Sequence, residues 1–264
     1  MIKKYLVIGN PIEHSLSPKL HNYWIKENNI NAIYDKKKLE ESELKNIIYE
    51  IKEEKINGIN VTVPFKKSVI QFLDELTPIA NEAQSVNTIY KEKNKVIGDN
   101  TDVDGFMLAL KHINYEVKNK KVFILGAGGV APSIILALKK MQVGKIVLSN
   151  RTKKKAEELK KIYKNLEIVD WGEITDFNMI INATSLGLKK EDKIKLNYND
   201  IGTNKLFYDV IYNPSQTNFL LKAKSYGNQI ENGKMMFIYQ AHQAFNIWNK
   251  IIAKVDNKTI GLLD

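Results

Sequence analysis

No segment of this chain limits its fold more than an apolar run that ends in glycines. Val122-Phe123-Ile124-Leu125 leads into Gly126-Ala127-Gly128-Gly129-Val130-Ala131, and a helical pattern follows to about residue 140. The spacing is G-x-G-x-x-A. In a βαβ unit the first glycine permits a tight turn and the second lets the main chain approach a diphosphate. A small third residue lets the helix pack against the strand, and the helix N-terminus offers N–H donors and partial positive charge. Some 20 residues further on, the second strand of such a unit ends at the adenosine ribose. Here that place holds Asn150-Arg151-Thr152. An acidic side chain there accepts from a 2′-hydroxyl, whereas an arginine fork binds phosphate oxygens in pairs. Of the 40 lysines and arginines, Arg151 is the single arginine. Alone, the glycines also fit an ordinary turn; with Arg151 they point to NADP.

Apolar strands alternate with amphipathic helical stretches, which predicts an α/β fold with mainly parallel sheets. Strands are expected at 4–9, 31–36, 58–63, 86–90, 95–98, 121–125, 145–149, 166–169, 178–182 and 205–210. Helices are expected near 18–28, 40–54, 66–73, 78–84, 101–112, 129–140 and 152–163. A long helical pattern over 233–253 has no partner strand and is expected to return to the first domain. The 264 residues suit one or two domains. No apolar run approaches the roughly 18 residues of a membrane span. The apolar stretch after Met1 is too short for a signal peptide and reads as a first strand. There is no cysteine, which excludes disulfides and thiol chemistry, and the cytoplasm is the expected location. The net charge of +10 comes from lysines scattered among acids. That pattern argues against nucleic acid and for anionic small molecules.

Four further segments carry candidate chemistry. Asn60-Val61-Thr62-Val63-Pro64-Phe65 closes a β-branched strand in a stiff turn, and Lys66 is expected at the start of the next helix. A solvent-facing loop would not need so much valine. The positive helix end would make the Lys66 proton easier to release; the alternative is an ordinary solvated lysine. Gly98 to Gly105 holds Asp99, Asp102 and Asp104. There is no closing glutamate for a calcium loop, so one carboxylate is expected to point inward and the others to water. Ser15-Leu16-Ser17-Pro18 offers two hydroxyls on one face. They suit a carboxylate, or Ser17 caps the helix that starts at Pro18. His14, His21, His112 and His242 have no metal-ligand spacing, and no metal is expected.

These segments, with Val86-Asn87-Thr88, Asn182-Ala183-Thr184-Ser185-Leu186-Gly187, Asp209-Val210-Ile211-Tyr212-Asn213-Pro214 and Gln240, resemble the shikimate dehydrogenases over nearly the whole chain. The resemblance implies NADPH-dependent, reversible reduction of 3-dehydroshikimate to shikimate in aromatic biosynthesis. It implies a substrate domain of residues 1–103 and 236–264, a Rossmann-like NADP domain of residues 104–235, and a cleft between them. By this likeness Lys66 and Asp102 are the catalytic pair, and Ser15 and Ser17 hold the substrate carboxylate. Asn87, Asp102 and Gln240 hold ring hydroxyls, with Thr62 and Tyr212 nearby. Gly126, Ala127, Gly128, Gly129, Val130 and Ala131 line the cofactor, and Asn150, Arg151, Thr152 and Lys155 face its 2′-phosphate. Asn182, Ala183, Thr184, Ser185, Leu186, Val210 and Gly233 lie on its nicotinamide side. The chain departs from the family at Gln84-Ser85, where Gly-Ala is usual, and at Ala241, where glycine is usual. Both departures leave the ligands in place. The rival readings are a quinate/shikimate dehydrogenase that uses NAD and a non-catalytic NADP-binding regulator. A monomer or a homodimer is expected.

Overall fold

The computed structural model describes residues 2–264. The first half of the chain runs β1 (Lys3–Gly9), α1 (Ser17–Glu27), β2 (Ala32–Lys38), α2 (Leu44–Lys52), β3 (Gly58–Val61), β4 (Glu75–Leu76), α3 (Pro78–Ala83), β5 (Thr88–Glu92), β6 (Lys95–Asp99) and α4 (Thr101–His112). The second runs β7 (Lys121–Leu125), α5 (Ala131–Lys140), β8 (Lys145–Ser149), α6 (Lys153–Ile162), β9 (Leu166–Val169), β10 (Met179–Asn182), β11 (Leu206–Asp209), α7 (Asn218–Ser225), β12 (Gln229–Glu231), α8 (Lys234–Asn249) and α9 (Asn257–Gly261). Two compact units result: Met1–Phe106 with Ile238–Asp264, and Met107–Phe237. The chain passes between units inside α4 and again inside α8.

The first unit holds a mixed sheet in the order β2-β1-β3-β5-β6-β4. β1, β2 and β3 are parallel, and β5 runs antiparallel to both β3 and β6. Leu44, Ile47, Ile48 and Ile51 form the buried stripe of α2, the i, i+3, i+4, i+7 spacing of an amphipathic helix. They pack with Ile8, Ile59, Val61, Phe65 and Ile89 into one core. α8 belongs to this unit from Ile238 onward. Trp248 lies flat on Tyr5, with ring centroids 4.9 Å apart, and its Nε1 donates to the Ile89 carbonyl at 3.2 Å. A Cβ on Gly58 would lie 2.5 Å from that indole, so the strand must carry glycine there.

The second unit is wholly parallel, in the order β12-β11-β10-β7-β8-β9. Numbered along the chain from β7 and read from the other edge, this is 3-2-1-4-5-6, the doubly wound order of dinucleotide-binding sheets. The order reverses between β7 and β10. Strands with helices on both faces read as continuous apolar runs, and Phe123, Ile124, Ile180, Ile181 and Phe207 are all fully buried.

Several expectations fail locally. The segment 66–73 is not an α-helix: residues 63–67 turn, and only Ser68–Phe72 coils, as a 3₁₀ helix. The Lys66 carbonyl accepts the Val86 N–H at 2.8 Å, and the Ile70 N–H goes instead to the Lys67 carbonyl at 3.2 Å, an i→i+3 bond. The strand expected to reach residue 63 ends at Val61; Val63 is 55% exposed, while Val61, Phe65 and Lys66 are buried, so the segment is buried except at the tip of its turn. Ser17 does not cap α1. It lies inside the first turn, Leu16 occupies the cap, and no side chain closes it. Asp99 is not left to water: it is half-buried and accepts from the Thr77 hydroxyl at 2.6 Å and the Asn100 N–H at 2.7 Å. Four elements, β4, α7, β12 and α9, were not expected from sequence; at two to eight residues they carry too little periodicity to register.

Candidate functional site

In the first unit the Lys66 ammonium meets the Asp102 carboxylate at 2.5 Å, with only 8% and 5% of the two residues exposed. Each arrives by a different route. Val86 pins the Lys66 backbone beside the strand ends. Asp102 sits in the first turn of α4, where a carboxylate suits the helix dipole. Asn100 supplies the cap of that helix, its Oδ1 accepting the Val103 N–H at 3.3 Å.

Asn87 locks the pair from the other side. Its Oδ1 accepts the Thr101 N–H at 2.7 Å, and a main-chain N–H can only donate. The amide orientation is therefore fixed, and Nδ2 is turned toward Asp102 Oδ1 at 3.0 Å and Gln240 Oε1 at 3.2 Å. Behind it the Thr88 hydroxyl touches Asn87 Oδ1, Thr101 Oγ1 and the Asn60 amide. Tyr34 closes the chain by donating to Asn60 Oδ1 at 2.8 Å. A buried lysine, a carboxylate and two amides gathered this way can exchange one proton and grip hydroxyl groups. Asn60, Thr88 and Thr101 fall within segments marked from sequence but were given no role in the site. Their signal is a polar residue at the end of a buried strand or the start of a buried helix.

Ser15 is half-buried and Ser17 buried. The Ser15 Oγ accepts the Ser17 N–H, the first of α1, at 3.3 Å, so Ser15 serves the helix start from outside the cap position, which Leu16 holds. Thr62 is half-buried at the turn that leads to Lys66, and its N–H donates to the Ile8 carbonyl at 2.9 Å. Gln240 is half-buried on α8.

In the second unit the glycine turn joins β7 to α5 at the point where strand order reverses. Gly126 has φ +104°, and a Cβ there would lie 2.7 Å from Thr184 Cγ2 and 2.8 Å from the Ala183 carbonyl oxygen. Gly128 is different: a Cβ would meet only the Ala183 oxygen, at 3.7 Å. The protein's own packing does not demand glycine at 128, and the exposed space above Gly128 and Gly129 is what an approaching diphosphate needs. Val130 caps α5 with no side-chain bond. Asn150 Oδ1 accepts the Ala127 N–H at 3.0 Å and ties the turn to the end of β8. Arg151, Thr152 and Lys155 follow, all exposed. These residues fit a dinucleotide with a charged adenosine end.

At the neighbouring strand ends the Asn182 side chain shapes the turn through Ala183, Thr184, Ser185 and Leu186. Gly233 has its own steric reason: a Cβ would stand 2.1 Å from the Val210 carbonyl oxygen. Tyr212 is half-buried and stacks on Phe237 with ring centroids 4.3 Å apart. Among the described residues no helix is long and apolar enough to cross a membrane.

Comparison with known proteins places these observations in one family. A family model for the shikimate dehydrogenase substrate binding domain matches residues 7–89, and one for shikimate / quinate 5-dehydrogenase matches residues 107–190. A shikimate dehydrogenase (NADP(+)) of Pelagibacter ubique is 63% identical over 264 residues, covering 100% of both chains. The crystal structure of shikimate dehydrogenase from Aquifex aeolicus superposes with a TM-score of 0.90 at 38% identity, covering 99% of this chain and 97% of that one. The Thermus thermophilus enzyme, crystallised with NADP(H) and shikimate, gives 0.89 at 27% identity, covering 99% and 98%. Identity at this level over the full length of both units leaves one assignment: the chain belongs to the shikimate dehydrogenase family.

Proposed function

We propose that the protein reduces 3-dehydroshikimate to shikimate with NADPH, reversibly, in aromatic biosynthesis. The observation that carries this reading is the buried Lys66–Asp102 pair at 2.5 Å, held by an Asn87 amide of fixed orientation. NADPH, when bound, supplies the hydride. The chain's own residues must orient the ketone and give its oxygen one proton. Lys66 is the donor: its ammonium releases a proton to the carbonyl oxygen and recovers one from solvent. Asp102 holds the Lys66 ammonium in place and accepts from a ring hydroxyl.

The first unit is the substrate-binding side. Ser15 and Ser17 offer hydroxyls to the ring carboxylate. Asn87 and Gln240 grip ring hydroxyls, with Thr62 as a further contact; Tyr212, a residue of the second unit, is a further candidate. The second unit is the cofactor side. The 126–131 turn receives the diphosphate, Asn150, Arg151, Thr152 and Lys155 the 2′-phosphate, and residues 183–186, Val210 and Gly233 the nicotinamide side. A cytoplasmic monomer or homodimer acting on this small molecule completes the reading.

Initial rates with shikimate and with quinate, each with NADP and with NAD, test it. Turnover of shikimate with NADP should dominate. Comparable rates with quinate and NAD would move the protein to the quinate/shikimate group, and no turnover with any pair would leave a non-catalytic NADP binder.

A further inference from the structure

We infer that Asp209 is a positioning residue for the nicotinamide end of the cofactor, because it fixes the amide of Asn182 that shapes the turn 183–186. The inference rests on the reading of that turn as the nicotinamide side. Asn182 and Asp209 are register partners at the carboxyl ends of β10 and β11, and both are fully buried. Asp209 Oδ1 accepts from Asn182 Nδ2 at 3.0 Å and from the Ile211 N–H at 3.0 Å. Its Oδ2 accepts the Thr217 hydroxyl at 2.6 Å.

A carboxylate only accepts, so Asn182 must turn its Nδ2 toward it. The Asn182 Oδ1 is thereby aimed into the turn. There it accepts both the Thr184 N–H at 3.1 Å and the Thr184 hydroxyl at 2.7 Å. The remaining Nδ2 hydrogen goes to the Leu186 carbonyl at 3.0 Å, and Thr184 Oγ1 takes the Leu186 N–H at 3.0 Å. The turn is built on Asn182, and Asn182 is oriented by Asp209. The same carboxylate also anchors the neighbouring segment, since Ile211 accepts the Gly233 N–H at 3.1 Å beside Val210. Thus the two stretches assigned to the nicotinamide side converge on one carboxylate that reaches neither.

The protein keeps this carboxylate at a cost. Burial pushes its carboxyl up to about 6 against three donors that favour the charged form. A core that needed only filling is served as well by an apolar side chain.

The test compares two ligands by titration calorimetry: NADPH, and 2′,5′-ADP, which carries the adenosine end alone. Asp209→Ala should weaken NADPH roughly 10–100-fold and leave 2′,5′-ADP within about twofold, as expected when one or two hydrogen bonds at one end of a ligand are misplaced. Asp209→Asn keeps an acceptor oxygen for Asn182 and Ile211 and should restore NADPH binding to within about threefold of the unsubstituted protein. Parallel loss of both ligands in Asp209→Ala, failure of that variant to fold, or unchanged NADPH affinity each overturns the proposal. Failure of the unsubstituted protein to bind 2′,5′-ADP would instead remove the NADP reading on which it stands.

Discussion

Two side chains separate the proposed chemistry from its rivals, and each can be removed alone. Lys66→Ala should lower turnover of shikimate by roughly 10²–10⁴-fold, the range for losing a general acid–base. The Michaelis constant should move much less, since Ser15, Ser17, Asn87 and Gln240 remain. A raised Michaelis constant with turnover intact makes Lys66 a binding group only. Arg151→Ala should raise the Michaelis constant for NADP by roughly 10–150-fold, the worth of a charge-assisted phosphate contact, and leave that for NAD nearly unchanged. Equal loss with both cofactors sinks the 2′-phosphate assignment. These residues were legible for different reasons. Arg151 stood out by composition, as the one guanidinium in a lysine-rich chain. Lys66 stood out by its place after the Val-Pro turn, and family likeness gave it the catalytic role. Its expected place at a helix start does not exist, because no α-helix begins there; burial against Asp102 is what distinguishes it from the solvated lysines.

At the scale of elements, long apolar runs marked the second unit well: β7, β8, β9, β10 and β11 each fall within a residue or two of the expected spans. A run buried on both faces is hard to misread. Strand order was not legible, because pairing between β7 and β10 joins segments more than fifty residues apart. Nor were caps legible where polar residues cluster: Leu16 rather than Ser17 holds the cap position of α1, and Asn100 caps α4 beside Asp99 and Thr101. Two of the glycines proposed to face the cofactor give a prediction that turns on this kind of local geometry. In Gly233→Ala the new Cβ would collide with main chain at 2.1 Å, which no rotamer relieves. That variant should lose about 1–3 kcal/mol of stability, as overpacked sites do. In Gly128→Ala the nearest atom lies at 3.7 Å. Its melting temperature should match that of the unsubstituted protein, while its NADP affinity falls. A Gly128→Ala protein with normal NADP affinity would mean that nothing approaches the turn closely.

The molecule as a whole should respond to acid through buried groups other than the Lys66–Asp102 pair. His21 is buried in the first unit, stacked on Tyr34 at 4.1 Å and flanked by Trp24, Phe245 and Trp248. Neither ring nitrogen has a hydrogen-bond partner, and burial pushes its pKa down to about 3. The unfolded chain takes up that proton near pH 6.5, while the folded chain resists it. His21 therefore withdraws stability as pH falls from 6.5 toward 3, by about 1.4 kcal/mol per pH unit. Asp209 acts with the opposite sign. Its folded pKa of about 6 lies above the unfolded value of 3.8, so its contribution is complete below 3.8 and is lost as pH rises through 6. Between these values the two slopes oppose each other, and the unsubstituted protein alone cannot reveal either. His21→Phe removes one of them. At pH 7.5 the change trades two unsatisfied nitrogens for a slightly larger ring, and the measured difference there sets the baseline. Urea unfolding at steps from pH 7.5 to 4.5 should then show the variant gaining on the unsubstituted protein at every step below 6.5. A difference that stays flat across this range would mean that His21 takes up its proton in the folded state as readily as in the unfolded one, and that the aromatic cage opens to admit water.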